Sequence, residues 1–121
     1  MKLLASLFAV ASSIGAGSTW AQEAPLTAEE FQSTIVDKTV RMTIAEDGKT
    51  YELELAGGGK ATVSGPYNDV GTWRVEGPGG YCINWNKQPR AEACAKFVKR
   101  AGALTILRTD GSLRATVISV K

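Results

Sequence analysis

Residues 40–55, Val-Arg-Met-Thr-Ile-Ala-Glu-Asp-Gly-Lys-Thr-Tyr-Glu-Leu-Glu-Leu, carry the pattern on which the fold turns. Val40, Met42 and Ile44 alternate with Arg41 and Thr43, and Tyr51, Leu53 and Leu55 alternate with Glu52 and Glu54. A strand places successive side chains on opposite faces, so a period of two marks each run as a half-buried strand. Asp47-Gly48 between them is a strong turn former, and the two runs read as a hairpin.

The same grammar continues downstream. Gly57-Gly58-Gly59 breaks the chain before Ala61 and Val63, and Gly65 to Asp69 forms a longer loop. A fourth strand sets Trp73 and Val75 against Thr72 and Arg74, and Gly77-Pro78-Gly79-Gly80 turns it into a fifth, Tyr81 to Trp85. After a polar loop from Asn86 to Glu92 come Ala93 to Val98, Leu104 to Leu107 and Leu113 to Val120; Asp110-Gly111 makes a second hairpin turn between the last two. About eight closely spaced strands leave no room for crossover helices, so pairing is antiparallel and the topology a meander. Closure removes exposed sheet edges. The expected fold is all-β: a closed or nearly closed barrel with one short N-terminal helix.

That helix is announced by Thr27 as N-cap, Glu30 three residues on to complete a capping box, and Leu26 and Phe31 at the staple positions. It is expected from Ala28 to about Ile35. Upstream, Lys2 followed by the apolar run Leu3 to Val10 and small residues to Thr19 reads as a secretory signal over residues 1–21, cut near Ala21. The apolar run is shorter than the roughly 20 residues a spanning helix needs, so the mature protein is expected to carry no integral membrane segment. Residues 22–25 read as a flexible leader and 26–121 as one domain, with a periplasmic destination.

Cys82 and Cys94 are the two cysteines, and there is no histidine. In an oxidising compartment they are best read as a disulfide, the alternative being two free thiols. With the fifth and sixth strands paired, the cysteines would lie opposite each other and clamp the base of the 86–92 loop; the chain-entropy view values so short a closure at roughly 3 kcal/mol.

Charge excludes more than it suggests. The net charge of +2 argues against nucleic-acid or general membrane-surface binding. From Gln22 to Glu76 acids outnumber bases ten to five, and from Gly77 onward bases outnumber acids eight to two. Cross-strand pairing of opposite charges is the preferred explanation over a basic face, because the later bases are spread over several strands.

The catalytic inventory is thin. Without histidine there is no Ser-His-Asp or Cys-His arrangement and no histidine-bearing metal site. A bonded cysteine pair leaves no thiolate, and no metal or cofactor is expected. Gly57-Gly58-Gly59-Lys60 lacks the spacing and the following Ser or Thr of a phosphate-cradling loop. The aromatic side chains either fill the barrel or line a pocket at its mouth. Trp73, Trp85, Tyr67, Asn84 and Arg90 are the candidate ligand-contacting residues. The expected function is a non-enzymatic binding module, taking a small apolar molecule in the barrel mouth or a periplasmic protein on its loops. Its alternatives are an envelope-associated inhibitor using loop 86–92 and, less favoured, a carboxylate-based hydrolase.

Gly71-Thr72-Trp73, then Cys82-Ile83-Asn84-Trp85, then Cys94 and the closing Asp110-Gly111 hairpin resemble a group of small exported proteobacterial proteins with the pattern G-x-W, C-x-x-W and a second Cys. The resemblance spans about Leu26 to the end. It implies a lipocalin-like barrel and periplasmic residence, and little about activity, since fold analogy does not license a ligand.

Overall fold

The computed structural model describes residues 23–88 and 91–121. The proposed signal segment and Arg90 lie outside the described residues. Among the described residues there are nine strands: β1 (Ala24–Pro25), β2 (Thr39–Ile44), β3 (Thr50–Leu55), β4 (Lys60–Ser64), β5 (Asp69–Val75), β6 (Gly80–Trp85), β7 (Glu92–Arg100), β8 (Ala103–Arg108) and β9 (Leu113–Val120). Each strand from β2 to β9 pairs antiparallel with its neighbour in sequence, and β9 returns to β2 to close an eight-stranded meander barrel.

Register follows the alternation of the sequence. Val40 faces Leu53 and Met42 faces Tyr51 across β2–β3, while Phe97 faces Ile106 across β7–β8. The inward set includes Val40, Leu53, Leu55, Ala61, Ile83, Phe97 and Ile106, and it forms one continuous core. A one-residue slip would turn every one of these side chains to solvent, so burial of this face holds the register. The first hairpin turns at Gly48, whose positive φ of 69° suits glycine, and Asp47 Oδ1 accepts the Lys49 amide at 2.9 Å.

Close approach explains the glycine of the G-x-W run. A Cβ added to Gly71 would stand 2.1 Å from the Asn84 carbonyl oxygen, so β5 and β6 can come together there only without a side chain.

The helix α1 (Ala28–Thr34) begins as its sequence demands: Glu30 N donates to Thr27 Oγ1 at 3.1 Å and Thr27 N donates to Glu30 Oε1 at 2.9 Å. Lys99 Nζ on β7 reaches Glu30 Oε2 at 2.6 Å, tying the helix start to the barrel wall. The helix closes one end of the barrel. Phe31, 3% exposed, enters that end and packs against Trp73 edge-on at 5.8 Å, Tyr81 at 6.5 Å and Phe97 at 5.8 Å between ring centres. Each such aromatic contact adds roughly 0.5–1.5 kcal/mol beyond the area it buries.

Two elements differ from the sequence reading. Ala24–Pro25, read as leader, are strand β1, paired with Val98 and Lys99, and Leu26 N donates to the Phe97 carbonyl at 3.1 Å. The reason is the length of β7, which runs past the end of β6 and exposes backbone groups that the incoming chain satisfies. That extra length also carries β7 two residues beyond Val98, to Arg100.

Candidate binding cavity

Because α1 seals one end, the empty space of the barrel lies at the other. There the turns after β2, β4, β6 and β8 surround a mouth, and below it is a cavity of about 220 Å³. Its walls mix apolar and polar groups, with Met42, Leu53, Val63, Ile83, Trp85 and Ala95 among the apolar ones. Small residues at Ala93 and Ala95 on β7 leave the room. The volume exceeds the roughly 150 Å³ of an engineered hole that admits benzene and falls short of the roughly 300 Å³ at which pockets for drug-sized ligands begin.

Tyrosines, two carboxylates, Gln88 and Arg114 make up the polar part of the wall. Tyr81 is the deepest: its ring belongs to the aromatic plug and only 4% of the residue is exposed. Among the described residues no hydrogen-bond partner reaches its hydroxyl. Burial pushes the phenol up to about 12 from its ordinary 10.0, and the nearby Arg114 charge acts in the opposite direction. Tyr51, higher on the wall, donates to Asp47 Oδ2 at 3.3 Å; burial first and the Asp47 carboxylate second raise its pKa, again against Arg114.

Arg114 owes its position to a bulge. Leu113 pairs with Leu107 and Ala115 with Ile106, so Arg114 is the extra residue on β9. Strict alternation beside the buried Ala115 would send Arg114 outward; the bulge re-aims it to the cavity, which its side chain lines. Its guanidinium is in no ion pair among the described residues.

The rim is braced by a residue to which the sequence assigned no such part. Asp69 is 6% exposed, and its carboxylate accepts from Val70 N at 2.8 Å, Lys87 N at 3.1 Å and the Tyr67 hydroxyl at 3.4 Å. Lys87 Nζ in turn donates to the Asn68 carbonyl at 2.7 Å and sits 5.3 Å from the Tyr67 ring centre. The loop after β4 and the loop after β6 are thereby joined. Only three-dimensional proximity reveals this, because Asp69 and Lys87 are 18 positions apart.

The candidate residues are divided by the fold. Trp85 and Tyr67 line the cavity. Trp73 does not: it stands at the helix end, against Phe31, with its indole N–H donating to the Ala56 carbonyl at 2.7 Å. Asn84 is exposed on the outer face, since its neighbours Ile83 and Trp85 point inward. Arg90 lies outside the described residues.

Cys82 and Cys94 form a disulfide across directly opposed positions of β6 and β7. It lies on the outer face, because Tyr81, Ile83 and Ala95 hold the inner one. The Glu92 carboxylate stands within 4.8 Å of both sulfurs and takes a bidentate bond from Arg74 at 3.0 and 3.2 Å. The sulfurs are bonded to each other, with Cys82 only 1% exposed, so beside Glu92 they make a braced clamp and not a set of metal ligands. Two of the described ion pairs, Lys99–Glu30 and Arg100–Glu23, join an acid of the first half to a base of the second; they tie β7 to α1 and to the residue before β1 and do not run between strands of the barrel.

No described helix is long and apolar enough to cross a membrane. Comparison with known protein families, curated proteins and solved structures finds no match to this chain. Its description is therefore architectural: an eight-stranded antiparallel barrel with one disulfide and a helix plugging one end.

Proposed function

We propose that this protein is a non-enzymatic binding module of the periplasm that holds one small, predominantly apolar molecule in the open end of its barrel. The observation that carries the reading is the asymmetry of the interior, plugged by Phe31 at one end and hollow beside Trp85 at the other. A concave, mostly apolar space with a few converging polar groups is the ordinary form of a small-molecule site. The lack of histidine and the bonding of both cysteines remove the commonest nucleophile and base pairs, which favours binding over catalysis. Residence outside the cytoplasm accords with the disulfide, and the lipocalin-like group of small exported proteobacterial proteins shares the G-x-W and C-x-x-W runs.

Toluene is a suitable first probe, being apolar and small enough for the space. In a heteronuclear NMR titration its addition is expected to shift the resonances of Met42, Leu53, Ile83 and Trp85 while leaving Ile35 and Val36 at the C-terminal end of the helix unmoved. Shifts scattered over the outer surface, or none at all up to the solubility limit, would defeat the cavity reading. The braced rim loops would then become the interaction surface of choice.

A further inference from the structure

The cavity holds more polar capacity than an apolar guest would use. At its wall is a phenol hydroxyl, on a residue 4% exposed, that no described side chain or backbone group satisfies. A buried donor without a partner forfeits the hydrogen bond it made to water, so an occupant able to accept from Tyr81 recovers an interaction that a hydrocarbon leaves behind. At the same cavity is Arg114, brought in by a bulge and in no ion pair among the described residues. Its charge is felt at both the Tyr51 and the Tyr81 hydroxyls. Of the three phenols on the wall, Tyr51 is engaged by Asp47 and Tyr67 by Asp69, which leaves Tyr81, Arg114 and the Gln88 amide as the donors available to a guest.

The planar guanidinium fork matches a carboxylate and is worth most where water is excluded. Glu46 and Asp47 also line the space, so an anionic group is favoured only where Arg114 lies nearer to it than they do, and a second negative charge on the guest would meet repulsion. The volume suits a single ring or a short chain. Resting on the cavity reading above, we propose that the ligand is a small monocarboxylate with an apolar body, its carboxylate taken jointly by Arg114 and the Tyr81 hydroxyl and its body laid against Trp85 and Ile83.

Three single-ring probes separate the contributions, toluene and the isosteric pair benzamide and benzoate, titrated by calorimetry and NMR into the disulfide-bonded protein and its variants. The wild type is expected to bind benzoate at least tenfold more tightly than either neutral probe. Arg114→Gln should erase that preference and leave toluene unchanged, and Arg114→Lys should restore part of it. Tyr81→Phe should weaken benzoate severalfold without weakening toluene. Circular dichroism and thermal melts of each variant establish that it is folded. If toluene binds but benzoate binds no better than benzamide, or Arg114→Gln leaves benzoate affinity intact, the carboxylate assignment falls and the cavity reading survives. If toluene does not bind the folded wild type, the cavity reading falls and the carboxylate assignment, which rests on it, falls with it.

Discussion

Replacing Tyr81 by Phe should do what few core substitutions do, namely leave the protein at least as stable as before. The ring that packs on Phe31 and Phe97 is retained and only the hydroxyl is lost. That hydroxyl has no partner among the described residues. Its removal at pH 7 is expected to be neutral or to gain up to about 1 kcal/mol, the gain being smallest if a water in the cavity serves it. The alkaline limb gives a second, independent reading. Burial raises the folded phenol from 10.0 to about 12, so the unfolded chain releases its proton first. The stability that depends on the protonated phenol is fully present below pH 10 and is lost as pH rises through about 12. By pH 11 the unfolded state has gained roughly tenfold in population from this group alone, about 1 kcal/mol. Urea unfolding of wild type and variant at pH 8 and pH 11 isolates the effect, because the other titrating groups are common to both. The advantage of Tyr81→Phe should grow by about 1 kcal/mol between the two pH values. A loss of 1 kcal/mol or more at pH 8, or a difference that does not change with pH, would refute the assignment of Tyr81 as a buried and unpartnered phenol.

Phe31→Ala removes the plug from the closed end, and urea unfolding should register a loss of about 3–5 kcal/mol, as for other large aromatic truncations in cores. Gly71→Ala should destabilise by more than about 3 kcal/mol in the same assay or prevent folding, since its Cβ would meet the Asn84 carbonyl oxygen, whereas Gly58→Ala, with nothing within 4 Å, should be tolerated. Glu30→Gln keeps a side chain able to complete the capping box but loses the charge that meets Lys99. The Lys99 hydrogen bond, then that from the Thr27 backbone, holds the Glu30 carboxyl below its ordinary 4.5. Its contribution is therefore present above that value and lost as pH falls through the lower, folded one. The melting temperature of Glu30→Gln should lie below wild type at pH 7 and converge on it in acid; a gap independent of pH would count against the bridge.

Local chemistry made much of this protein legible from its residues in order. Alternation in 40–44 and 51–55, the Asp-Gly turns at 47–48 and 110–111, and the capping box at Thr27 and Glu30 all act over a few residues, where steric and hydrogen-bonding preferences need no distant partner. Even the Cys82–Cys94 bridge follows from neighbouring strands joined by one loop. Which surface became a candidate site was a different matter. Strand alternation turned Asn84 outward, and the docking of Phe31 drew Trp73 into the sealed end. Tyr81 is a ring in a plug and, by its hydroxyl, a polar atom in the cavity wall; that dual placement depends on residues 50 positions away. Arg114 enters the barrel because one residue of β9 is out of register with β8, and Asp69 is buried because two loops far apart in sequence meet at the rim. Such outcomes depend on closure of the whole barrel, in which β9 must find β2 and β7 must find β8. The chain's local preferences thus specify strands, turns and staple, while the space between them, and the groups that look into it, exist only once the last strand has paired with the first.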